Sequence, residues 1–380
     1  MLTGLSPAGH GIVGNGWYFR DTQEIRFWQQ ANSLIQGEKF YERYSDSTAK
    51  IFWWFNQSAP VRWSVTPKPH YGSDGSKVFD VLDQTGCELT KTLGDFPFKS
   101  FWGPAAGLPS SQWIAESSVC VMQRHQPKLT LVYLPHLDYD FQRMTVHDPV
   151  RIAEVDACAG RVIDAAKSIG AETVVVSEYG LVPVARPVLL NRALRAAGWL
   201  NVRDGPFGEM LSPGDSKAFA VVDHQLAHVY IRDAAMKAEV RRLISQLPGV
   251  AAVVDPAEIE LNHPRSGELI ALAEPDAWFV YYYWQDDLRA PDFARCVDIH
   301  RKPGYDPCEL FITSKLRAGV RLLQKKIGMR YRMDVIPLEP QLVRGSHGLH
   351  PDQQQGPLVI GPGAPSDMRE FKQYIYDLLG

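Results

Sequence analysis

Two short apolar runs separated by a helical pattern constrain the fold of this chain most strongly. Residues 129–134 are apolar and short, as expected for a buried strand, and residues 173–177 form a second run of this kind. Between them, Asp148 and Pro149 are the residue types that cap and begin a helix, and Gly170 suits its end. This strand–helix–strand order predicts a mainly parallel sheet covered by helices.

A carboxylate follows each of the two apolar runs. Asp138 comes after the first run, and Glu178 comes directly after the second. Because ligands of parallel sheets bind beyond the carboxyl ends of the strands, we expect both carboxylates to lie near a site.

A second region, about residues 218–279, alternates short strand patterns with one helical pattern and predicts a small α+β unit. The predicted strands are residues 218–222, 228–231, 250–254 and 268–273, and the predicted helix is residues 234–246.

The first fifteen residues carry a specific motif, MLTGLSPAGHGIVGN. It resembles the Thr-Gly…Pro…His-Gly-Ile…Asn segment of the nucleotide pyrophosphatase/type I phosphodiesterase branch of the alkaline phosphatase superfamily. The resemblance implies an α/β fold, a mainly parallel sheet with helices on both faces and a small α+β cap insertion. It assigns residues 1–200 and 330–380 to the core and residues 201–329 to the cap. In that family the motif follows the nucleophile, so we expect the nucleophile and the first strand upstream of Met1.

The family resemblance also implies a set of metal ligands. The family holds two divalent metals with an early Asp, the nucleophile, an Asp-x-x-x-His pair, an Asp-His pair and a late His. Asp138 and Gln142 occupy the first pair, Glu178 and Tyr179 the second, and His347 in Gly-Ser-His-Gly matches the late His. The implied cofactor is a divalent metal, most simply zinc, at one or two sites. A glutamine oxygen and a neutral phenol replace imidazoles here, which weakens the second site in particular.

Other residues are candidates for contact with a small anionic phosphoester substrate. Asn15 matches the family's phosphoryl-binding Asn, and its amide can donate to an oxyanion. His300, Arg301 and Lys302 form a His-Arg-Lys run that suits an anionic ligand, with His300 as a further possible metal ligand. A solvated loop cluster is the alternative interpretation of that run.

One Asp-His pair has no place in the family pattern. Asp223 and His224 repeat the pair, and His224 and His228 are spaced four residues apart. Because the flanking apolar runs predict strands, we favour a structural or substrate-facing role over a displaced metal site.

Composition excludes several classes of partner. A net charge of −3 gives no indication of nucleic-acid or anionic-membrane binding, and no stretch approaches the roughly 20 apolar residues of a membrane span. Five scattered cysteines suit a reducing compartment, so we expect a cytoplasmic protein.

The predicted function is metal-dependent hydrolysis of phosphodiester or pyrophosphate-type bonds. The alternative is an inactive protein of the same fold that binds a ligand or partner.

Overall fold

The computed structural model describes residues 1–73, 77–351 and 355–380. Its α-helices are α1 (Pro7–His10), α2 (Leu89–Leu93), α3 (Leu108–His125), α4 (His136–Arg143), α5 (Pro149–Ser168), α6 (Leu190–Ala196), α7 (Lys237–Ser245), α8 (Lys315–Lys326) and α9 (Phe371–Leu379). Its strands are β1 (Gly16–Phe19), β2 (Glu24–Phe27), β3 (Thr48–Ile51), β4 (Trp63–Pro67), β5 (His70–Tyr71), β6 (Lys77–Val78), β7 (Val81–Asp83), β8 (Leu129–Val132), β9 (Val175–Val176), β10 (Val182–Pro183), β11 (Arg186–Val188), β12 (Val202–Gly205), β13 (Gly208–Leu211), β14 (Ala218–Asp223), β15 (Leu226–Ile231), β16 (Val250–Val254), β17 (Leu269–Ala273), β18 (Ala277–Phe279), β19 (Gly345–Ser346) and β20 (Val359–Ile360).

The first predicted strand, β8, is the edge of a four-stranded sheet with the order β7-β4-β3-β8. Strand β3 pairs in parallel with both β4 and β8, whereas β7 runs antiparallel to β4. Ala49, Ile51 and Val65 are completely buried where these strands pack together with α3. Both faces of β3 are buried, which agrees with its place in the middle of a parallel set.

The predicted helix after β8 is present and is preceded by a second, shorter helix, α4. The Asp148 side chain accepts hydrogen bonds from the backbone N–H groups of Val150 and Arg151, which caps α5 as its sequence indicates. Gly170 adopts a left-handed conformation, with φ of 73°, just after the end of α5. Helix α5 packs on α3 and α4, and α3 also contacts β3 and β8, so α3 lies between the sheet and α5.

The second predicted strand is shorter than its apolar run and has a different partner. Only β9 forms within residues 173–177, and it pairs antiparallel with β20. Because β8 and β9 pair with different partners, they do not form adjacent parallel strands. The fold is therefore mixed α/β, with both parallel and antiparallel pairings.

The predicted α+β unit is present as an antiparallel sheet with the order β14-β15-β17-β16 and helix α7. Its buried side chains belong to the largest apolar core, which also contains Leu194 and Val335. Residues on both sides of the proposed cap boundaries, residues 201 and 329, therefore pack in one core. The cap remains a prediction. No helix in the described part of the chain is long and apolar enough to cross a bilayer.

Candidate active site

Asp138 lies in the first turn of α4, directly beyond the end of β8, where a carboxylate was expected. Gln142, one turn later on the same face, donates through Nε2 to Asp138 Oδ2 at 2.7 Å. The Tyr179 hydroxyl donates to Asp138 Oδ1 at 3.2 Å. Burial raises the pKa of Asp138 to about 7, because desolvation outweighs the effect of these two hydrogen bonds.

His347 approaches the same carboxylate from another part of the chain. Strand β19 pairs with β10, and the loop that follows brings His347 Nε2 to 3.9 Å from Asp138 Oδ1. Burial lowers the pKa of His347 to about 3, so its imidazole is neutral at physiological pH. The structure thus brings the two residues matched to the family's metal ligands into one cluster.

His224 completes this cluster, and the family pattern did not place it there. It lies in the tight turn between β14 and β15, with a left-handed φ of 60°. Its Nδ1 lies 3.3 Å from the Ser346 hydroxyl, and the Gln225 N–H donates to the carbonyl of His347 at 2.9 Å. The turn therefore fixes the loop that carries His347. Burial lowers the pKa of His224 well below its usual value, and His347 adds to this effect.

Four aromatic rings stack in a row through the cluster, which we call the ring column: Tyr179, His347, His224 and Tyr305. Successive ring centroids are separated by 3.7, 3.7 and 3.8 Å. The Tyr305 hydroxyl donates to Gln142 Oε1 at 2.6 Å. Gln142 thus connects Asp138 to Tyr305, and its carbonyl oxygen, the atom expected to bind a metal, accepts this bond.

The position of Tyr305 depends on the preceding residue, Gly304. A Cβ at Gly304 would lie 2.4 Å from the Cβ of Tyr281, so only glycine allows this segment to pack as it does. The Tyr305 N–H then donates to the carbonyl of Val222 in β14. The sequence gives no direct signal for Tyr305, because a tyrosine after a Pro-Gly turn has no typical ligand or catalytic spacing.

Asn15 is held by Asp223, the residue directly before His224 in the chain. Its backbone N–H and its side-chain Nδ2 donate to the two carboxylate oxygens of Asp223, at 2.7 and 3.0 Å. Burial raises the pKa of Asp223 despite both hydrogen bonds. Because His224 follows Asp223 directly, the N-terminal motif is attached to the turn that carries one end of the cluster.

Glu178 lies next to the cluster, but it is exposed to solvent. Its charge acts on both Asp138 and the amino group of Met1, which places the beginning of the described chain close to this carboxylate. Within the ranges that the structure describes, no hydrogen bond joins Glu178 to the ring column.

The His-Arg-Lys run is not brought into the cluster. His300 and Arg301 are exposed, and Arg301 pairs with Asp292 at 2.9 Å. Lys302 is fully buried, with its Nζ between the carboxylates of Asp306 and Glu309 at 2.7 and 2.6 Å. Its charge is therefore compensated inside the protein, and it faces acidic groups rather than an anionic ligand.

The opposite face of α4 carries a separate polar cluster. His136 Nδ1 is hydrogen-bonded to the Ser111 hydroxyl, 2.8 Å away. The ring also lies near the carboxylates of Asp140 and Glu154. Each of these carboxylates is already paired with an arginine of its own helix. His136 thus points away from Asp138.

The donor types in this cluster suit a divalent metal, but the ligand atoms of Asp138, His347 and His224 do not all lie within 4.8 Å of one another, as those of His136, Asp140 and Glu154 do in the described residues. In the part of the chain that the structure covers, no hydrogen bond reaches a ring nitrogen of His347, although the ring stacks on Tyr179, contacts His224 at an interplanar angle of 34° and approaches a carboxylate. Neutral imidazole nitrogens and a carboxylate oxygen are the donors that zinc and related divalent ions prefer. A site with these donors can polarise a phosphoryl oxygen or activate water.

Comparison with known proteins identifies the family of this chain. A sequence model described as Type I phosphodiesterase / nucleotide pyrophosphatase matches residues 1–306. The chain belongs to this family. The resemblance of the N-terminal motif is thereby confirmed, and membership of this metal-dependent family implies a divalent metal.

Two solved structures are similar to this phosphodiesterase-family chain, and the first of them supports its fold. Phosphonoacetate hydrolase from Sinorhizobium meliloti 1021, in complex with phosphonoacetate, is 15% identical, with a TM-score of 0.50 over 76% of this chain and 70% of that chain. Murine ectonucleotide pyrophosphatase / phosphodiesterase 5 is 13% identical, with a TM-score of 0.47 over 90% of this chain and 86% of that chain. None of the curated proteins matches the chain.

Proposed function

We propose that this chain is a metal-dependent hydrolase of phosphodiester or pyrophosphate-type bonds in small anionic substrates. The observation that carries the proposal is the approach of His347 Nε2 to Asp138 Oδ1, 3.9 Å apart, inside a buried cluster of neutral imidazoles. An ionised carboxylate buried beside unprotonated histidines is costly, and a cation bound between them would offset that cost and favour the ionised form of Asp138.

The proposed ligands are Asp138, His347 and His224, with zinc as the proposed metal because two of the donors are imidazoles. A bound divalent ion would supply Lewis-acid stabilisation of the charge that develops on the phosphoryl group. The former candidate ligand Gln142 is proposed instead to position Asp138, because both ends of its amide are already engaged. Glu178 remains the proposed carboxylate of a second, weaker site.

The chain's own groups would orient the substrate and hold the reactive geometry. Tyr179 and Gln142 fix the Asp138 carboxylate from two sides, which lowers the entropy lost when a ligand binds. Asn15 Nδ2 uses one hydrogen for Asp223, and its second hydrogen is the proposed donor to a phosphoryl oxygen. A similar protein has been solved with phosphonoacetate, which supports a small phosphorus-containing substrate.

A second candidate function is ligand binding without turnover. It is favoured by the hydrogen bonds of Gln142 and Tyr179, which satisfy the two residues that stand in place of family histidines. The unpaired thiols of all five cysteines support a cytoplasmic location for either function.

The test is hydrolysis of bis-p-nitrophenyl phosphate by the purified chain with added Zn²⁺ or Mn²⁺, combined with equilibrium dialysis for metal. His347→Ala should abolish turnover and metal binding. His350→Ala changes an exposed histidine three residues away and should change neither. Tight metal binding without turnover would favour the second candidate, and metal binding that survives His347→Ala would contradict both.

A further inference from the structure

Helix α8 exposes its apolar face instead of burying it. None of its residues is buried, and it faces the body of the protein with the half-buried Ala318, Arg321 and Gln324. On its more exposed side, where Leu316 and Val320 also border a groove lined by Arg295 and Ile336, apolar residues recur at the helical spacing i, i+4, i+7 and i+11. These are Leu316, Val320, Leu323 and Ile327, which are 79, 47, 57 and 60% exposed.

The same segment is strongly basic. Residues 310–333 contain no Asp or Glu and seven cations, namely Lys315, Arg317, Arg321, Lys325, Lys326, Arg330 and Arg332. Arg317 and Arg321 are paired with Asp334, which anchors the helix to the body. The other five make no ion pair with any residue that the structure describes, so the segment has a large positive charge facing solvent.

We propose that α8 docks this protein on an anionic lipid surface. An apolar stripe flanked by Lys and Arg is the pattern of a helix that lies in the plane of a membrane interface, with its apolar side chains among the acyl chains. The cations on either side would contact the anionic headgroups. The helix is far too short to span a bilayer, so the attachment would be peripheral.

Charge argues for a lipid surface rather than for a second copy of the chain. A symmetric dimer through this face would place two segments, each with five cations outside any ion pair, against each other. Like charges at such short range oppose association, whereas an anionic surface attracts each of them. The net charge of the whole chain is −3, and on that basis no membrane partner was expected. The net charge does not reveal this basic segment, because acidic residues elsewhere in the chain offset its positive charge.

The proposal is independent of the proposed catalysis, since it uses no residue of the Asp138 cluster. The experiment is flotation of the full chain with vesicles of phosphatidylcholine alone or with about one third phosphatidylglycerol. We expect binding to the anionic vesicles only, with loss of binding in about 1 M salt, where the Debye length is about 3 Å.

Matched variants distinguish binding through α8 from nonspecific binding of exposed apolar side chains to vesicles. Leu316→Ser with Leu323→Ser should weaken binding at least about tenfold, because both side chains would enter the interface. Leu288→Ser is the control, because Leu288 is 92% exposed outside the basic segment and should not matter. Thermal melting of each variant should match the parent, since none of these side chains is buried.

The alternatives give different results. Equal binding to neutral vesicles, or binding unaffected by the double substitution, would overturn the proposal. Absence of vesicle binding together with a dimer that Leu316→Ser and Leu323→Ser dissociate would assign the face to self-association. Absence of both would leave α8 without a role in docking and would also overturn it.

Discussion

The imidazole of His347 lies 3.7 Å from that of His224, and the two rings form the centre of the ring column. They come from a loop after β19 and from the turn between β14 and β15, which are far apart in the chain. Because burial keeps both imidazoles neutral, they can stack without charge repulsion. The same neutral nitrogens are the proposed metal donors, so packing and metal binding depend on the same side chains.

Replacement of His224 separates these two contributions. His224→Phe keeps a flat ring in the column and should change the free energy of unfolding by less than about 1.5 kcal/mol. It removes a proposed donor, so zinc affinity should fall at least about tenfold. His224→Ala leaves a cavity as well and should cost on the order of 3 kcal/mol. Urea unfolding of the metal-free protein and a chelator competition for zinc give the two quantities, and unchanged affinity in His224→Phe would remove His224 from the ligand set.

Asp138 should make stability depend on pH in a specific direction. Its folded pKa of about 7 lies above its usual value of 3.8, so between these values only the unfolded chain has lost the proton. The metal-free protein therefore loses stability as pH rises from about 4 to about 7, by at most about 1.4 kcal/mol per unit. Asp138→Asn cannot titrate, and its advantage over the parent should grow across this window and level off above it. Urea unfolding at several pH values measures the difference, and a constant difference would show that Asp138 is not desolvated.

His347 should act in the opposite direction, over an overlapping pH range. Its folded pKa of about 3 lies below the usual 6.5, so on acidification the unfolded chain binds the proton first. Stability from neutral His347 is present above about pH 6.5 and is lost as pH falls toward 3. His347→Phe should retain the stack and reduce the slope of stability against pH in this window. The check is the pH dependence of the urea midpoint, with His350→Phe as the exposed control, which should keep the parent's slope.

The Tyr305 hydroxyl should matter through Gln142. Tyr305→Phe leaves Gln142 Oε1 without its buried donor, which should cost about 1–2 kcal/mol of stability and loosen the Asp138 carboxylate. Tyr281→Phe is a matched control, because the Tyr281 hydroxyl is buried without a hydrogen-bond partner in the described structure, and its removal should be neutral or stabilising. Thermal melting and zinc affinity of the two variants give the comparison. Equal losses in both would indicate a packing effect rather than the hydrogen bond.

Local patterns predicted the elements whose causes are local. The Asp148 cap, the end of α5 near Gly170 and the α+β unit around β14 to β17 lie where the residue types place them. The partners of β8 were not predicted, because β3 and β4 come from an aromatic segment without a clear alternating pattern. Strand pairing depends on contacts distant in sequence, which periodicity does not encode.

The site was predictable only where the family pattern supplied positions. Asp138 and His347 come together as that pattern implies, whereas His224 carried a local signal, the Asp-His pair, whose significance depends on the fold. For Lys302, by contrast, the local sequence suggested a contact that the fold does not provide. A lysine in a basic run resembles an anion contact, but Asp306 and Glu309 follow within seven residues and enclose it.

Lys302 gives the sharpest test of a structural against a substrate-binding role. Burial alone would lower the pKa of Lys302, but Asp306 and Glu309 raise it overall, which keeps the amine charged. Lys302→Met would leave two buried carboxylates without a cation and should cost about 3–5 kcal/mol. Adding Glu309→Gln should restore part of that loss, because one uncompensated charge is removed. Urea unfolding of the two single variants and the double variant measures this coupling. If Lys302 instead contacted substrate, Lys302→Met would raise KM with little change in stability, and Glu309→Gln would restore nothing.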